Sequence, residues 1–276
     1  MRSVGGILCP VWFSSDNLAL TLAQATCVVL PGAGIPARLE RFRTRIWTLV
    51  LPLSIAAVVA GIALVPSTAD GLTVLALVLV PIGCALALGW AARGARPALA
   101  VVAVALLAVA WVMGNTRAGQ VAATLLIVGS AVTLGRLLAG VAPLAVLKAG
   151  ILAMATIDAV LVFSNQLQAP NALLVAASPG GGLPRLQSAS FGAAGLGYGD
   201  FFAAAVVGGI CAAERAPQFA TAIGMIAVAL CWDQLFLIYD VLPATIPPAL
   251  ALVGLELWRR RRDLPRRLPR HRPDPA

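Results

Sequence analysis

Charged residues are scarce in this chain. They make up 11% of its 276 residues, whereas 60% are hydrophobic and the mean hydropathy is +0.93. A soluble globular domain carries about 25% charged residues, so this composition excludes an ordinary soluble fold. Because so large an apolar fraction exceeds what a soluble core requires, we expect the chain to lie in a lipid bilayer.

Metal-binding and nucleophile–histidine patterns are also missing. The one histidine, His271, lies in the C-terminal tail, and the five cysteines show no CxxC or Cys/His spacing. This argues against a metal site and against Ser/His or Cys/His catalysis, and we expect no metal or organic cofactor. The N-terminus lacks the ordered basic region, long apolar run and small-residue cleavage site of a removed signal peptide.

The net charge of +9 is unevenly distributed. Eight of the twenty basic residues lie within residues 259–272. This tail is short, interrupted by prolines and directly follows an apolar segment, so we expect no nucleic-acid partner. It is typical of a cytoplasmic stop-transfer tail beside anionic lipid.

Long apolar segments predict the fold class. The charge-free runs 46–69, 71–92 and 97–116 approach or exceed the ~20 residues that cross a hydrocarbon core. Spans are predicted near residues 46–66, 72–92, 97–115, 119–140, 143–165, 189–213, 217–237 and 240–258, with a weaker one before residue 30. The predicted fold is an all-α, polytopic transmembrane helical bundle with eight or nine spans.

Four regions follow from this pattern. Residues 1–45 form an N-terminal segment with a weak first span and a basic linker, and residues 46–142 form the N-terminal transmembrane helices. Residues 143–258 form a second group of helices, interrupted by a polar, Pro- and Gly-rich loop at 164–187, and residues 259–276 form the tail.

The distribution of Arg and Lys predicts the orientation. If the tail is cytoplasmic and the spans alternate, the inner side contains most of the basic residues. The outer side contains only Arg2, Arg117 and Arg185. This asymmetry predicts a plasma-membrane protein with a cytoplasmic C-terminus and an outer loop at 164–187.

Two carboxylates lie inside otherwise apolar spans, Asp158 in ILAMATIDAVLVF and Asp200 in AAGLGYGDFFAAAVVGG. An ionisable group at membrane depth costs several kcal/mol by insertion scales and calls for a functional explanation. A satisfied interhelical hydrogen bond or an ion-pathway carboxylate is the alternative to catalysis at this point. Asp158 is predicted about 10 Å below the outer end of its helix. Asp200 is expected eleven residues into the next span, so the two acids should lie at similar depth.

Glycine and proline mark two further segments. In Gly197-Tyr198-Gly199-Asp200, the glycines allow unusual backbone angles and close approach of another chain. In the last span, Pro247 and Pro248 are expected to break helical bonding and leave free backbone groups at the depth of the acids.

An intramembrane Asp, a later GxGD, one further span and then a PAL tripeptide form the ordered signature of the presenilin and signal peptide peptidase family. This chain resembles that family, as a prokaryotic-type homologue, through Asp158, Gly197-Tyr198-Gly199-Asp200 and Pro248-Ala249-Leu250, and GYGDFFAAAVVGG is similar to the presenilin run GLGDFxFYxxLVG. The similarity covers roughly residues 145–258.

The resemblance implies an intramembrane aspartyl protease that cleaves within the transmembrane helices of single-span membrane proteins. It implies that Asp158 and Asp200 are catalytic, and that the substrate contacts Gly197, Tyr198, Gly199, Pro248, Ala249 and Leu250. Ile157 replaces the usual family tyrosine. A second PAL candidate exists at Leu242-Pro243-Ala244-Thr245, although the literal match and depth favour Pro248-Ala249-Leu250.

Two alternatives remain open. Type IV prepilin peptidases also use a GxGD acid, but they usually follow it with Val-Lys and lack a PAL element, whereas Phe201 and Phe202 follow here. A non-enzymatic transporter or channel would use the acids to bind protons or cations. Asp233 and Asp240 lie beside Trp232 and Tyr239, where an interfacial aromatic belt accommodates charge without function. The oligomeric state is not predicted.

Overall fold

The chain folds mainly into helices. The computed structural model describes residues 15–41, 44–65, 67–114, 116–166, 168–177, 179–239 and 241–267. The protein is 76% helical, which confirms the expected predominance of helices. Asp240 and residues 268–276, which include His271, lie outside the described residues.

Eleven α-helices and two strands occur within the described ranges. The helices are α1 (Ser15–Val29), α2 (Ala37–Glu40), α3 (Val50–Leu64), α4 (Thr68–Leu86), α5 (Val102–Val112), α6 (Arg117–Val141), α7 (Leu144–Phe163), α8 (Gln168–Ala176), α9 (Tyr198–Ala213), α10 (Gln218–Trp232) and α11 (Ile246–Arg267). The strands are β1 (Ser188–Phe191) and β2 (Ala194–Gly197). Short 3-10 turns precede α3 and α5 and follow α10, and a π turn at Ala87–Ala91 extends α4.

Four of the described helices are long and apolar enough to cross a membrane. They are Thr68–Ala91, Arg117–Val141, Leu144–Phe163 and Gln218–Leu237. Two shorter apolar helices, Pro97–Val112 and Tyr198–Ala213, fall below that length. The structure is thus compatible with a membrane protein, but by length and composition it supports four spans instead of eight or nine.

Helices α6 and α9 form the centre of the protein. Every residue of α9 from Phe201 to Ala212 is buried, and α9 packs against α6 and α1. A Cβ atom added at Gly135 of α6 or Gly209 of α9 would collide with the backbone of the facing helix. Small residues therefore permit close helix contact, as in membrane helix pairs. Within the N-terminal segment, the described residues Ser15–Val29 form α1, which belongs to this core.

A β-hairpin replaces the first half of the span expected at 189–213. Ala194–Gly197 pairs antiparallel with Ser188–Phe191 through a two-residue turn at Gly192 and Ala193. Gly192 has φ +58°, which suits the first central position of a type II′ turn. The turn is held by two side chains: Asp16 Oδ2 accepts from Ala193 N at 3.2 Å, and Gln120 Oε1 accepts from Gly192 N at 3.0 Å.

We call the end of the helix bundle that contains the turn at Gly192 and Ala193 the hairpin end. The helix that follows the hairpin begins at Tyr198. The prediction that Asp200 lies eleven residues into a span is therefore wrong, because Asp200 is the third residue of α9.

Candidate active site

Asp158 lies near the end of α7, five residues before its last residue, Phe163. Its carboxyl group is buried, with 7% of the residue exposed. Thr245 Oγ1 donates a hydrogen bond to Asp158 Oδ2 at 2.6 Å, and the Thr245 backbone also bonds to this carboxyl group. Thr245 precedes α11, so this contact joins α7 to the start of the last helix.

Asp200 lies in the first turn of α9 and is partly buried. Its Oδ2 accepts a hydrogen bond from Gly197 N at 3.0 Å, so the carboxylate pairs with an amide at the helix N-terminus. Carboxylates at this position are stabilised by the free N–H groups and the helix dipole. One oxygen of Asp200 is thus fixed by its own helix.

The glycines before Asp200 do not adopt the unusual backbone angles expected for them. Gly197 is extended, with φ −71° and ψ 154°, and neither it nor Gly199 is among the described residues with positive φ. Gly199 instead faces α7, because a Cβ atom added there would lie 3.8 Å from Met154 Cε. Met154 lies one turn before Asp158 on the same helix.

The structure brings the two acids together. Helices α7 and α9 are in contact, and the carboxyl groups of Asp158 and Asp200 are close enough to interact electrostatically. Both lie towards the hairpin end of their helices, Asp158 near the end of α7 and Asp200 at the start of α9. Nearby carboxyl groups disfavour each other's ionised form.

Pro247 and Pro248 lie in the first turn of α11, where proline costs no helical hydrogen bond. The expectation that they break a helix is therefore wrong, since the helix begins beside them. Pro248 and Ala249 are buried, whereas Leu250 is 45% exposed. Of the two PAL candidates, the upstream one contacts an acid directly, because its Thr245 binds Asp158.

The contacts of two polar residues at the site were not predicted from the sequence. Thr245 binds Asp158, and Gln24 of α1 donates through Nε2 to Asp200 O at 3.1 Å and to Ala244 O at 3.2 Å. Gln24 is only 3% exposed. The sequence did contain one signal for Gln24, because Asn17, Thr21 and Gln24 recur at helical spacing within an apolar segment.

The remaining residues of the GxGD motif and the nearby acids also have defined positions. Tyr198 Oη and Ser130 Oγ of α6 form a hydrogen bond of 2.8 Å, so this tyrosine is anchored on the central helix. Asp233 Oδ2 accepts from Asn17 Nδ2 at 3.2 Å. Within the described ranges, no group of three or more His, Cys, Asp or Glu could hold a metal ion.

An ion cluster joins the same three helices at their other end. Lys148 of α7 contacts Glu214 at 2.7 Å and Glu256 of α11 at 2.5 Å. Arg259 of α11 also pairs with Glu214, which directly follows α9. Helices α7, α9 and α11 are therefore connected at one end by charges and at the other by the contacts around Asp158 and Asp200.

In comparisons with known proteins, no family model matches the chain, and neither a curated protein nor a solved structure matches it.

Proposed function

We propose that this protein is an intramembrane aspartyl protease that hydrolyses peptide bonds within transmembrane helices of single-span membrane proteins. The observation that carries this proposal is the proximity of Asp158 and Asp200 on helices that are in contact, with Thr245 of the segment before α11 bonded to Asp158. Two interacting carboxyl groups in an apolar surrounding are the chemistry that aspartyl proteases use.

The reaction requires one proton shared by the pair. The ionised carboxylate takes a proton from a water molecule, whose oxygen attacks the carbonyl carbon of the scissile amide. The protonated carboxyl group donates to the carbonyl oxygen as the tetrahedral intermediate forms. A proton then passes to the amide nitrogen, the C–N bond breaks, and a carboxyl terminus and an amine are released. The gain and loss of this proton is a property of the two carboxyl groups together and not of either residue alone.

The edge of β2 offers a way to hold an unwound substrate. Tyr198 N donates to Gln187 O at 3.1 Å. Because pairing alternates along an antiparallel ladder, the backbone groups of Gly195 and the carbonyl of Gly197 face away from β1, whereas the N–H of Gly197 already donates to Asp200. A substrate helix must unwind before its amides can be attacked, and an extended segment can add to such an edge. Gly197 lies beside Asp200, so a substrate strand there would be close to the acids.

We propose that shorter helices complete the membrane bundle. Helices α1, α9 and α11 and the segments 45–64 and 97–112 would join the four long helices, which gives nine crossings. On this arrangement, the C-terminus and the ion cluster face the cytoplasm, and the hairpin faces outward, as the positive-inside rule favours.

The decisive experiment uses purified protein in lipid vesicles with single-span reporter helices of both orientations. We expect cleavage within the reporter span, and inhibition by a transition-state mimic of aspartyl proteases. Proton or cation flux without cleavage of any reporter would favour the transporter alternative and refute the protease proposal.

A further inference from the structure

Gln24 is a buried polar residue in the second half of α1, with only 3% of the residue exposed. Its Nε2 donates to Asp200 O at 3.1 Å and to Ala244 O at 3.2 Å. Carbonyl oxygens only accept hydrogen bonds, and an amide nitrogen carries two hydrogens, so each carbonyl group receives one of them. A single nitrogen atom therefore joins the first turn of α9 to the segment before α11.

The carbonyl group of Ala244 takes its donor from another helix. At the start of α11, Ala249 N donates to Thr245 O at 3.3 Å in the helical pattern. The preceding bond of this series would run from residue 248 to Ala244 O, but Pro248 has no N–H to donate. Backbone carbonyl groups inside a protein are stable only when they are hydrogen-bonded. Gln24 therefore supplies the donor that Pro248 lacks.

The same side chain connects the supports of both acids. Ala244 directly precedes Thr245, whose hydroxyl donates to Asp158 Oδ2 at 2.6 Å. The other carbonyl that Gln24 binds belongs to Asp200 itself. Because Asp158 and Asp200 lie on separate helices, the distance between their carboxyl groups depends on contacts of this kind. Reacting groups must be held within about 0.5 Å of their productive geometry.

We propose that Gln24 is a positioning residue that sets the distance between the carboxyl groups of Asp158 and Asp200. Its hydrogen bonds reach backbone carbonyl groups and not the carboxyl groups, so it acts through the segments that carry them. The inference rests on the proposed function, because only a reaction that uses both acids depends on the distance between them. A displacement of about 1 Å can lower the rate of such a reaction about 100-fold.

Gln218, the first residue of α10, provides a matched control. It is also 3% exposed, and its Nε2 donates to the carbonyl oxygens of Val28, Pro31 and Gly208. Like Gln24, it therefore bonds to both α1 and α9. Gly208 lies about 12 Å further along α9 than Asp200, at 1.5 Å per residue. Loss of the Gln218 amide thus weakens the packing of the same helices far from the acids.

The first test compares the two glutamines in reconstituted vesicles with a single-span reporter helix. Gln24→Met keeps the length of the side chain and removes both donors, and we expect kcat to fall about tenfold or more with KM within about twofold of wild type. Gln218→Met should lower the unfolding temperature by a similar amount, about 2–4 °C, and keep kcat within about threefold of wild type. Equal kcat values for the two variants, or wild-type kcat in Gln24→Met, would overturn the proposal. If Gln24→Met does not fold, Gln24→Asn replaces it, because the shorter amide cannot keep both contacts.

The second test measures the connection through Ala244 without any proteolysis. Pro248→Ala restores an N–H four residues after Ala244, so the Gln24 amide should matter less in that background. We expect Gln24→Met to lower the unfolding temperature by about half as much in Pro248→Ala as in the wild-type protein. Pro247→Ala is the control, because its N–H would extend towards Pro243 O, and the full effect of Gln24→Met should remain.

Equal effects of Gln24→Met in all three backgrounds would overturn the connection on which the proposal depends. If the wild-type protein cleaves no reporter, the proposed function fails and the positioning role fails with it, whereas the unfolding temperatures still decide whether Gln24 joins the two segments. If the wild-type protein cleaves and Gln24→Met cleaves equally well, only the positioning role is refuted.

Discussion

At the scale of single residues, the carboxyl groups of Asp158 and Asp200 differ in how they are held. Asp158 is buried and receives its hydrogen bonds from Thr245, whereas Asp200 is bonded to the amide of Gly197 at the start of its own helix. An amide donor stabilises an ionised carboxylate, while a hydroxyl can donate to a carboxylate or accept from a carboxylic acid. In the proposed reaction, these two environments would favour different roles for the two acids.

Substitution of either acid should abolish cleavage. Asp158→Asn and Asp200→Asn each leave one carboxyl group without a partner for proton exchange. Asp233→Asn is the matched control, because it is the same substitution at an aspartate whose carboxylate is bonded to Asn17. This variant should retain most activity. Asp240→Asn, at a residue outside the described ranges, should also retain activity. Cleavage of a reporter helix in vesicles is the measurement, and activity that survives Asp158→Asn but is lost in Asp233→Asn would refute the assignment.

The Thr245 hydroxyl should contribute to rate as well as to structure. A hydrogen bond to a charged group contributes about 1.5–3 kcal/mol, so Thr245→Val, which keeps the shape and removes the donor, should lower kcat about 10- to 100-fold. Thr245→Ser retains the donor and should cleave within about threefold of wild type. Equal kcat values for the valine and serine variants would show that the 2.6 Å contact has no part in the reaction.

At the scale of elements, apolar segments were predictable and their contacts were not. Long, mainly apolar segments gave the approximate positions of α4, α6, α7 and α10, because a helix that crosses a hydrocarbon core needs about 20 such residues. The hairpin at Ser188–Phe191 and Ala194–Gly197 was missed, since small apolar residues around Gly192 and Gly195 suit helix packing as well as strands. The partners of Thr245 and Gln24 depend on how separate helices meet, which periodicity does not reveal.

The turn at Gly192 should be intolerant of a side chain. Its φ of +58° is unfavourable for other residues, and an added Cβ would collide with the Asp16 carboxylate that binds the turn. Gly192→Ala should destabilise the protein by about 1–3 kcal/mol and reduce cleavage by displacing β2. Gly180→Ala is the control, because an added Cβ there meets nothing within 4 Å. Indistinguishable thermal unfolding of the two variants in detergent would contradict this account of the turn.

At the scale of the whole molecule, two separate groups of contacts hold the site helices together. One is the set of hydrogen bonds around Asp158 and Asp200, and the other is the ion cluster of Lys148, Glu214, Glu256 and Arg259. The cluster is partly buried, with side-chain exposures from 17% to 34%, so solvent screening reduces but does not remove its contribution. It should therefore set the spacing of α7, α9 and α11.

Removing the central acid of the cluster should loosen this spacing. Glu214 pairs with both Lys148 and Arg259, so Glu214→Gln leaves two cations with Glu256 alone and should lower the free energy of unfolding by about 1–3 kcal/mol. Cleavage should fall as well, since the acids lie on the same helices. Arg260→Gln, at an exposed neighbour, tests for a general charge effect. If both variants unfold at the wild-type temperature, the cluster does not hold the helices.

The orientation of the molecule provides the last prediction. Gly180 precedes the hairpin in an exposed segment with open space around it, whereas Arg259 and the following arginines belong to the end that carries the ion cluster. Because basic residues concentrate on the cytoplasmic side of membrane proteins, the hairpin end should face outward. A cysteine introduced as Gly180→Cys should therefore react in intact cells with an impermeant maleimide, above the background of the native cysteines in the wild-type protein. In the same orientation, trypsin should cut the arginine-rich tail only in inverted vesicles. Labelling at residue 180 that requires permeabilised cells would reverse the orientation.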